Sequence, residues 1–344
     1  MKILIITQVI DKKDPVLGFF HRWVEAFSKR AESTSVICLY KGESSLPNGV
    51  RVYSLGKENK KSRMVYLFRF LRYILSLRGD YDAVFVHMNE EYVLLGGIFW
   101  FLMGKNVFLW RNHYDGSWKT NLAALLSTRV FYTSAHSYTA RFTNSSRMPV
   151  GIDTDFFSPQ AKVRKKDSIL FLSRMAPSKN PDILIEAISI LKKSGERPEA
   201  GFYGDPLPKD EGYYKKLKSI VSVRGLSENI SFYRGVSNDI ARDLFSSHDI
   251  FVNTSKSGMF DKTIFEAYAS GALAVSSSKD LRGEVDERFL FEEGSAESLA
   301  AKLSAVCALT EKEKDENRKE LRNYVVERHS LGVLTERLFA AFSG

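Results

Sequence analysis

Short apolar runs alternate along the chain with segments whose apolar residues recur every three to four positions. In the first half the runs lie at 2–7 (KILIIT), 34–40, 51–55, 83–88, 106–110 and 129–133. Helical periodicity occupies 18–30, 62–78, 90–103 and 117–127. The runs are continuously apolar rather than alternating, which predicts strands buried on both faces: a parallel sheet with helices on either side. The pattern then restarts. Strands are predicted at 168–173, 200–204, 230–234, 249–254, 272–277 and 288–291, with helices at 180–194, 209–223, 237–247, 262–270 and 295–308. Pro149, Gly151 and Pro159 punctuate the join, MPVGIDTDFFSP. Two doubly wound α/β domains in tandem are the economical reading.

A charged helical stretch, TEKEKDENRKELRNYVVERHS, precedes the last piece, LGVLTERLFAAFS, whose Leu331, Leu334, Leu338 and Phe342 must pack on something. The longest apolar run, VLLGGIFWFLM, falls short of the roughly 18 residues a membrane span needs.

The 344 residues, 44% hydrophobic and 26% charged, suit two globular domains. Residues 1–150 hold 21 Lys and Arg against 11 Asp and Glu; the rest is nearly balanced, with 29 against 30. The excess points to an anionic partner for the first half: nucleic acid, an anionic membrane surface or a phosphorylated substrate. No nucleic-acid motif accompanies it, so nucleic acid is not expected. The opening MKILIIT lacks signal-peptide anatomy, and Cys38 and Cys307 lie in apolar segments, which suits a reduced cytoplasmic protein with inert thiols.

Ligands of open α/β sheets bind beyond the carboxyl ends of the strands. In LSRMAPSKNPDILIEA, Arg174 and Lys179 follow a strand and precede a helix, a pairing suited to a diphosphate or to two solvated surface charges. In NTSKSGMFDKTIFEAYASG, Gly258 permits close backbone approach, and Asp261, Lys262 and Thr263 begin a helix whose free amides can take phosphate oxygens. Glu266 lies one turn on, among residues that read as buried, where a carboxylate can accept both hydroxyls of a ribose. His87 ends the fourth predicted strand and His113 follows the fifth, at adjacent tips; polar neighbours (Asn112, Asp115) favour His113 as the functional one.

These segments resemble family 4 of the glycosyltransferases, retaining nucleotide-sugar enzymes of the GT-B fold. VGIDTDFFSP is similar to the family's interdomain segment. ILFLSRMAPSKNPDILIEAI is similar to its Arg/Lys diphosphate clamp, GMFDKTIFEAYASGALAV to its donor-glutamate region, and YDAVFVHM and WRNH to its two N-terminal histidine segments. The resemblance implies two Rossmann-like domains facing a cleft. Residues 1–150 would form the acceptor side, rejoined by a C-terminal helix at about 328–344, and 151–327 would bind the donor.

It further implies that Arg174 and Lys179 neutralise the leaving diphosphate, that Glu266 holds the ribose and that His113 touches the donor sugar. The Lys262 and Thr263 amides would hold phosphate, Gly18 would lie in a loop facing the diphosphate, and Gly204 and the Arg234–Val236 turn would border the base. Gly258, Met259, Phe260 and Asp261 complete the donor loop; His21, Arg22, His87 and Glu91 would lie on the acceptor side.

Two positions depart from the family pattern. The family's other glutamate, eight residues before Glu266, is Gly258 here, so Asp261 substitutes or the donor is held differently. The usual paired glycines are reduced to Gly18. The implied reaction moves a hexose from a nucleoside diphosphate (UDP or GDP) to a glycan or lipid-linked acceptor for cell-surface polysaccharide, with retention and with no cofactor or metal. A nucleotide-sugar epimerase and a catalytically lapsed nucleotide binder are the rivals. The basic, aromatic stretch 60–78, with Arg69, Arg72 and Ser76 on one face, suggests peripheral attachment to an anionic membrane.

Overall fold

The computed structural model describes residues 1–259 and 261–343. The chain folds as two units, Met1–Gly151 with Leu331–Gly344, and Ile152–Ser330.

The first unit carries β1 (Lys2–Ile10), α1 (Gly18–Ser28), β2 (Ser33–Lys41), β3 (Val50–Ser54), α2 (Arg63–Ser76), β4 (Ala83–His87), α3 (Glu91–Leu102), β5 (Asn106–Trp110), α4 (Trp118–Leu125), β6 (Arg129–Tyr132) and β7 (Ser145–Arg147). All seven strands are parallel, in the order β3-β2-β1-β4-β5-β6-β7. Successive residues of β1 serve opposite faces. Ile3, Ile5 and Ile10 join a core with Phe20, Trp23 and Phe27 of α1, whereas Leu4 and Ile6 join one with Phe70 and Ile74 of α2 and Trp100 of α3. The terminal apolar piece forms a helix whose Leu334, Leu338 and Phe342 enter the α1-side core; Phe342 lies against Phe108 with ring centroids 4.6 Å apart.

The second unit carries β8 (Lys165–Leu172), α5 (Pro181–Lys193), β9 (Glu199–Tyr203), α6 (Glu211–Val223), β10 (Ile230–Tyr233), α7 (Asn238–Ser247), β11 (His248–Asn253), α8 (Lys262–Ala269), β12 (Leu273–Ser276), α9 (Ala296–Cys307) and α10 (Glu311–His329); the terminal helix of the first unit is α11 (Leu331–Ser343). Its five strands are parallel, in the order β10-β9-β8-β11-β12.

One expected strand fails, and one strand was not expected. Residues 288–291 are not a strand: Asp286 accepts the Arg288 amide and opens a 3-10 turn over Glu287–Phe289, leaving a single bridge from Leu290 to Ser276. Their apolar character reflects burial alone, since Phe289, Leu290 and Phe291 are at most 5% exposed. Conversely, β7 reads SSR and offers no apolar signal; it extends the sheet by backbone pairing to β6. Burial foremost pushes the Cys38 and Cys307 thiols each up to about 12.

Candidate functional site

In the second unit's sheet the chain runs from β8 outward to β9 and β10, then returns to the other side of β8 for β11 and β12. The reversal leaves the loops after β8 and after β11 side by side, where open α/β sheets hold their ligands. The first loop carries Arg174 and Lys179, the second Gly258 and Asp261.

Lys179 is 8% exposed although it carries an ammonium group. Its Nζ donates to both carboxylate oxygens of Asp261 at 2.6 Å and to Ser255 Oγ at 3.3 Å. Asn253 Nδ2 donates to Asp261 Oδ2 at 3.1 Å, and Ser255 Oγ donates to the same oxygen. Burial alone would raise the Asp261 pKa. The adjoining Lys179 charge and the hydrogen bonds from Lys179, Ser255 and Asn253 outweigh it and hold the carboxyl below its ordinary range. The backbones are stitched as well: Thr254 Oγ1 donates to the Lys179 carbonyl at 2.6 Å, and Asn180, in the left-handed region at φ 46°, donates to the Thr254 carbonyl at 3.1 Å.

Gly258 is buried with φ 95°, a backbone that favours glycine, so a glutamate there would be strained. Ser257 anchors the same turn by donating its amide and hydroxyl to Glu293. Asp261 occupies the N-cap of α8, Lys262 and Thr263 are its first residues, and Glu266 is 8% exposed on its second turn. Phe260 lies outside the described residues.

On the far side of β8, Gly204 (φ 153°) is obligatory, since a Cβ there would come within 1.8 Å of the Ser173 carbonyl oxygen. Asp205 receives Arg234 Nε at 2.9 Å and the Gly235 amide at 3.1 Å, so Arg234 is exposed yet tethered beside Val236. Arg174, also exposed, projects from the first loop.

The first unit has its own reversal, between β1 and β4. His87, at the tip of β4, is only 3% exposed and stacks on Phe20 with ring centroids 4.1 Å apart, among Phe19 and Trp23. His21 is likewise internal. Its Nδ1 faces Glu25 at 3.1 Å and its Nε2 accepts the Ser45 amide, so it clamps α1 to the segment after β2. Gly18 opens α1 instead of lying in the preceding loop, its amide bonded to the Asp14 carbonyl. Arg22 is half-buried on α1, and Glu91 is exposed.

Of the Glu90–Glu91 pair, the pattern singled out Glu91, but Glu90 is the one enclosed. It is 8% exposed and meets Arg111 Nε at 2.6 Å, across the tips of β4 and β5. His113, two residues beyond Arg111, is half-buried; its Nδ1 accepts the Asp115 amide at 3.0 Å, which leaves the proton of the neutral ring on Nε2. Asn253, Ser255 and Asn180 were also missed. They are short polar residues at strand and helix ends, where sequence cannot separate caps from site supports. Among the described residues no group of three or more His, Cys, Asp or Glu is gathered as a metal site.

The family model described as "Glycosyl transferases group 1" matches residues 153–325. Mannosylfructose-phosphate synthase of Agrobacterium fabrum is 28% identical over 143 residues, covering 37% of this chain and 31% of that protein. The capsular polysaccharide biosynthesis glycosyltransferase CapH of Staphylococcus aureus is 28% identical over 127 residues, 37% of this chain and 34% of that one. The chain thus spans about a third of the length of these curated relatives. Over their full lengths, this chain and Anabaena HepE, solved in complex with UDP and glucose, superpose with a TM-score of 0.78 at 17% identity.

Proposed function

This chain belongs to the glycosyl transferases group 1, and from that premise we propose that it is a retaining, metal-independent transferase moving a hexose from a nucleoside diphosphate to a glycan or lipid-linked acceptor. The observation that carries the reading is a lysine buried at the topological switch point of a parallel sheet, beside the N-terminus of a helix whose second turn holds a buried glutamate. Desolvating an ammonium ion is costly; Asp261 offsets that cost in the unliganded site, and at this end of the sheet an incoming diphosphate can take the carboxylate's place. Fixed positive charge there matches an incoming diphosphate.

In this reading Lys179, Arg174 and the α8 amides of Lys262 and Thr263 take the diphosphate, and Glu266 takes the ribose hydroxyls. The base lies by Gly204 and the Arg234–Val236 turn. As the bond to the leaving phosphate lengthens, the sugar becomes oxocarbenium-like and negative charge grows on the phosphate. Arg174 and Lys179 stabilise that charge. The acceptor hydroxyl attacks from the same face and gives its proton to a phosphate oxygen, which retains configuration. HepE was solved with UDP and glucose and CapH is named for capsular polysaccharide, which makes UDP-hexose the first donor to try and cell-surface glycan the first product class.

Isothermal titration with UDP, GDP and ADP, followed by turnover of the Arg174→Ala and Lys179→Ala variants, tests this. Each variant is expected to lose at least ~10²-fold in kcat. Absence of binding by all three nucleotides, or unimpaired turnover in both variants, refutes the site. The glycine backbone at 258, where the family has an acid, favours a second reading: nucleotide binding without transfer. Binding without turnover on any donor would decide for it.

A further inference from the structure

The outer face of the first unit's α2–α3–α4 layer is apolar where a surface layer is ordinarily polar. These three helices cover the sheet face opposite α1. α3 turns Tyr92, Val93 and Trp100 inward; Gly96 leaves room for the Trp100 ring, and Gly97 for Leu126 just after α4. Its outward stripe is Leu95, Ile98, Phe101 and Leu102, of which Ile98 is 61% and Phe101 80% exposed. An amphipathic helix carries polar residues there. The neighbours continue the stripe: Met64 and Phe68 of α2 are 73% and 67% exposed, and Trp118 and Leu125 of α4 are 67% and 80% exposed. Scattered exposed hydrophobics are ordinary; a run of them across three adjacent helices is not.

Charge identifies the cover. The three helices hold Arg63, Arg69, Arg72 and Lys119 against one acid, Glu91. Arg69 turns inward to the Leu55 carbonyl, so it does not share the exposed face with Arg72 and Ser76 as the periodicity suggested. Arg72 lies exposed between Phe68 and Leu75. A two-fold contact with a second copy would set like charges against like. The twelve residues of α3 extend about 18 Å, too short to cross a ~30 Å hydrocarbon layer but suited to lying in its interface. Trp118 at the rim fits the headgroup level.

We propose that the outer face of α2, α3 and α4 is a docking surface for an anionic lipid bilayer, with α3 at its centre and Arg72 at the headgroups. The sequence pointed to α2 alone; the structure makes α3 and α4 equal contributors.

The test is co-sedimentation of the full chain with vesicles of phosphatidylcholine alone and of phosphatidylcholine mixed with phosphatidylglycerol. The chain is expected to sediment preferentially with the mixed vesicles. Ile98→Glu and Phe101→Glu, both at exposed positions, are expected to reduce partitioning at least about tenfold with unchanged melting temperatures, and Arg72→Glu to abolish the anionic preference. Failure of the wild type to bind either vesicle overturns the proposal, as does undiminished binding by both glutamate variants. A wild-type dimer in analytical ultracentrifugation that Ile98→Glu converts to monomer also overturns it, by assigning the face to a second copy. Vesicle binding is read without donor or acceptor, so its failure leaves the transferase reading standing, and the converse holds.

Discussion

The Asp261→Asn substitution separates the two roles of Lys179. Without ligand, the ammonium is neutralised by a carboxylate at 2.6 Å on both oxygens. At an effective dielectric near 20, that contact is worth about 6 kcal/mol of gross attraction, part of which repays the desolvation of both charges. The amide would keep the shape and one accepting oxygen but lose the charge. Breaking a buried pair on one side costs about 3 kcal/mol, so the unliganded second unit should melt lower by about 6–12 °C. A bound diphosphate supplies the missing negative charge. Nucleotide binding should therefore recover part of the loss and no longer meet the carboxylate as a competitor, tightening affinity roughly tenfold, about 1.4 kcal/mol. Thermal melts and isothermal titration with the cognate nucleoside diphosphate read the two effects, and they must move in opposite directions. A variant that melts like the wild type, or one that binds nucleotide more weakly, refutes the claim that Lys179 trades Asp261 for phosphate.

A second buried pair lies at the opposite end of β11, where Lys314, fully buried on α10, donates to Asp249 at 2.7 Å and to Asp167 at 2.9 Å, with Arg318 also on Asp249. Lys314→Met should destabilise the second unit by about 3 kcal/mol in denaturant melts without changing nucleotide affinity, and adding Asp249→Leu should restore part of the loss. Acid should destabilise both units in the window below about pH 6.5. His21 and His248 have folded pKa values held below that ordinary value, by burial foremost. The unfolded chain then takes up protons that the native state excludes, and stability present above about pH 6.5 is lost as the pH falls toward the folded pKa values. Melting temperatures across that range check it, and His21→Gln should flatten the first unit's share.

Apolar runs alternating with helical periods announced parallel βαβ units, whereas the order of the strands within each sheet emerges only in the fold. Glu266 was legible from its neighbours: a lone acid among Ile264, Phe265, Ala267 and Ala269 is out of place in a helix unless something needs it. Spacing also put Lys179 and Asp261 at the tips of separate strands, yet nothing in a one-dimensional pattern says that two side chains 82 residues apart meet. The histidines illustrate the limit most clearly. His87 ends β4 and His113 follows β5 by three residues, but Phe20 closes over the first while the second stays half-buried against Tyr114.

Local pattern was enough for the class of fold and for the segments where chemistry gathers, since hydrophobic period and helix-start residues are properties of neighbouring positions. It could not say which charges pair, which acid of Glu90–Glu91 is buried, that Lys314 in a helix reading as solvated is wholly enclosed, or that α3 leaves an apolar face uncovered. Burial and pairing depend on what distant segments bring to a position, and that sum exists only once the chain has folded.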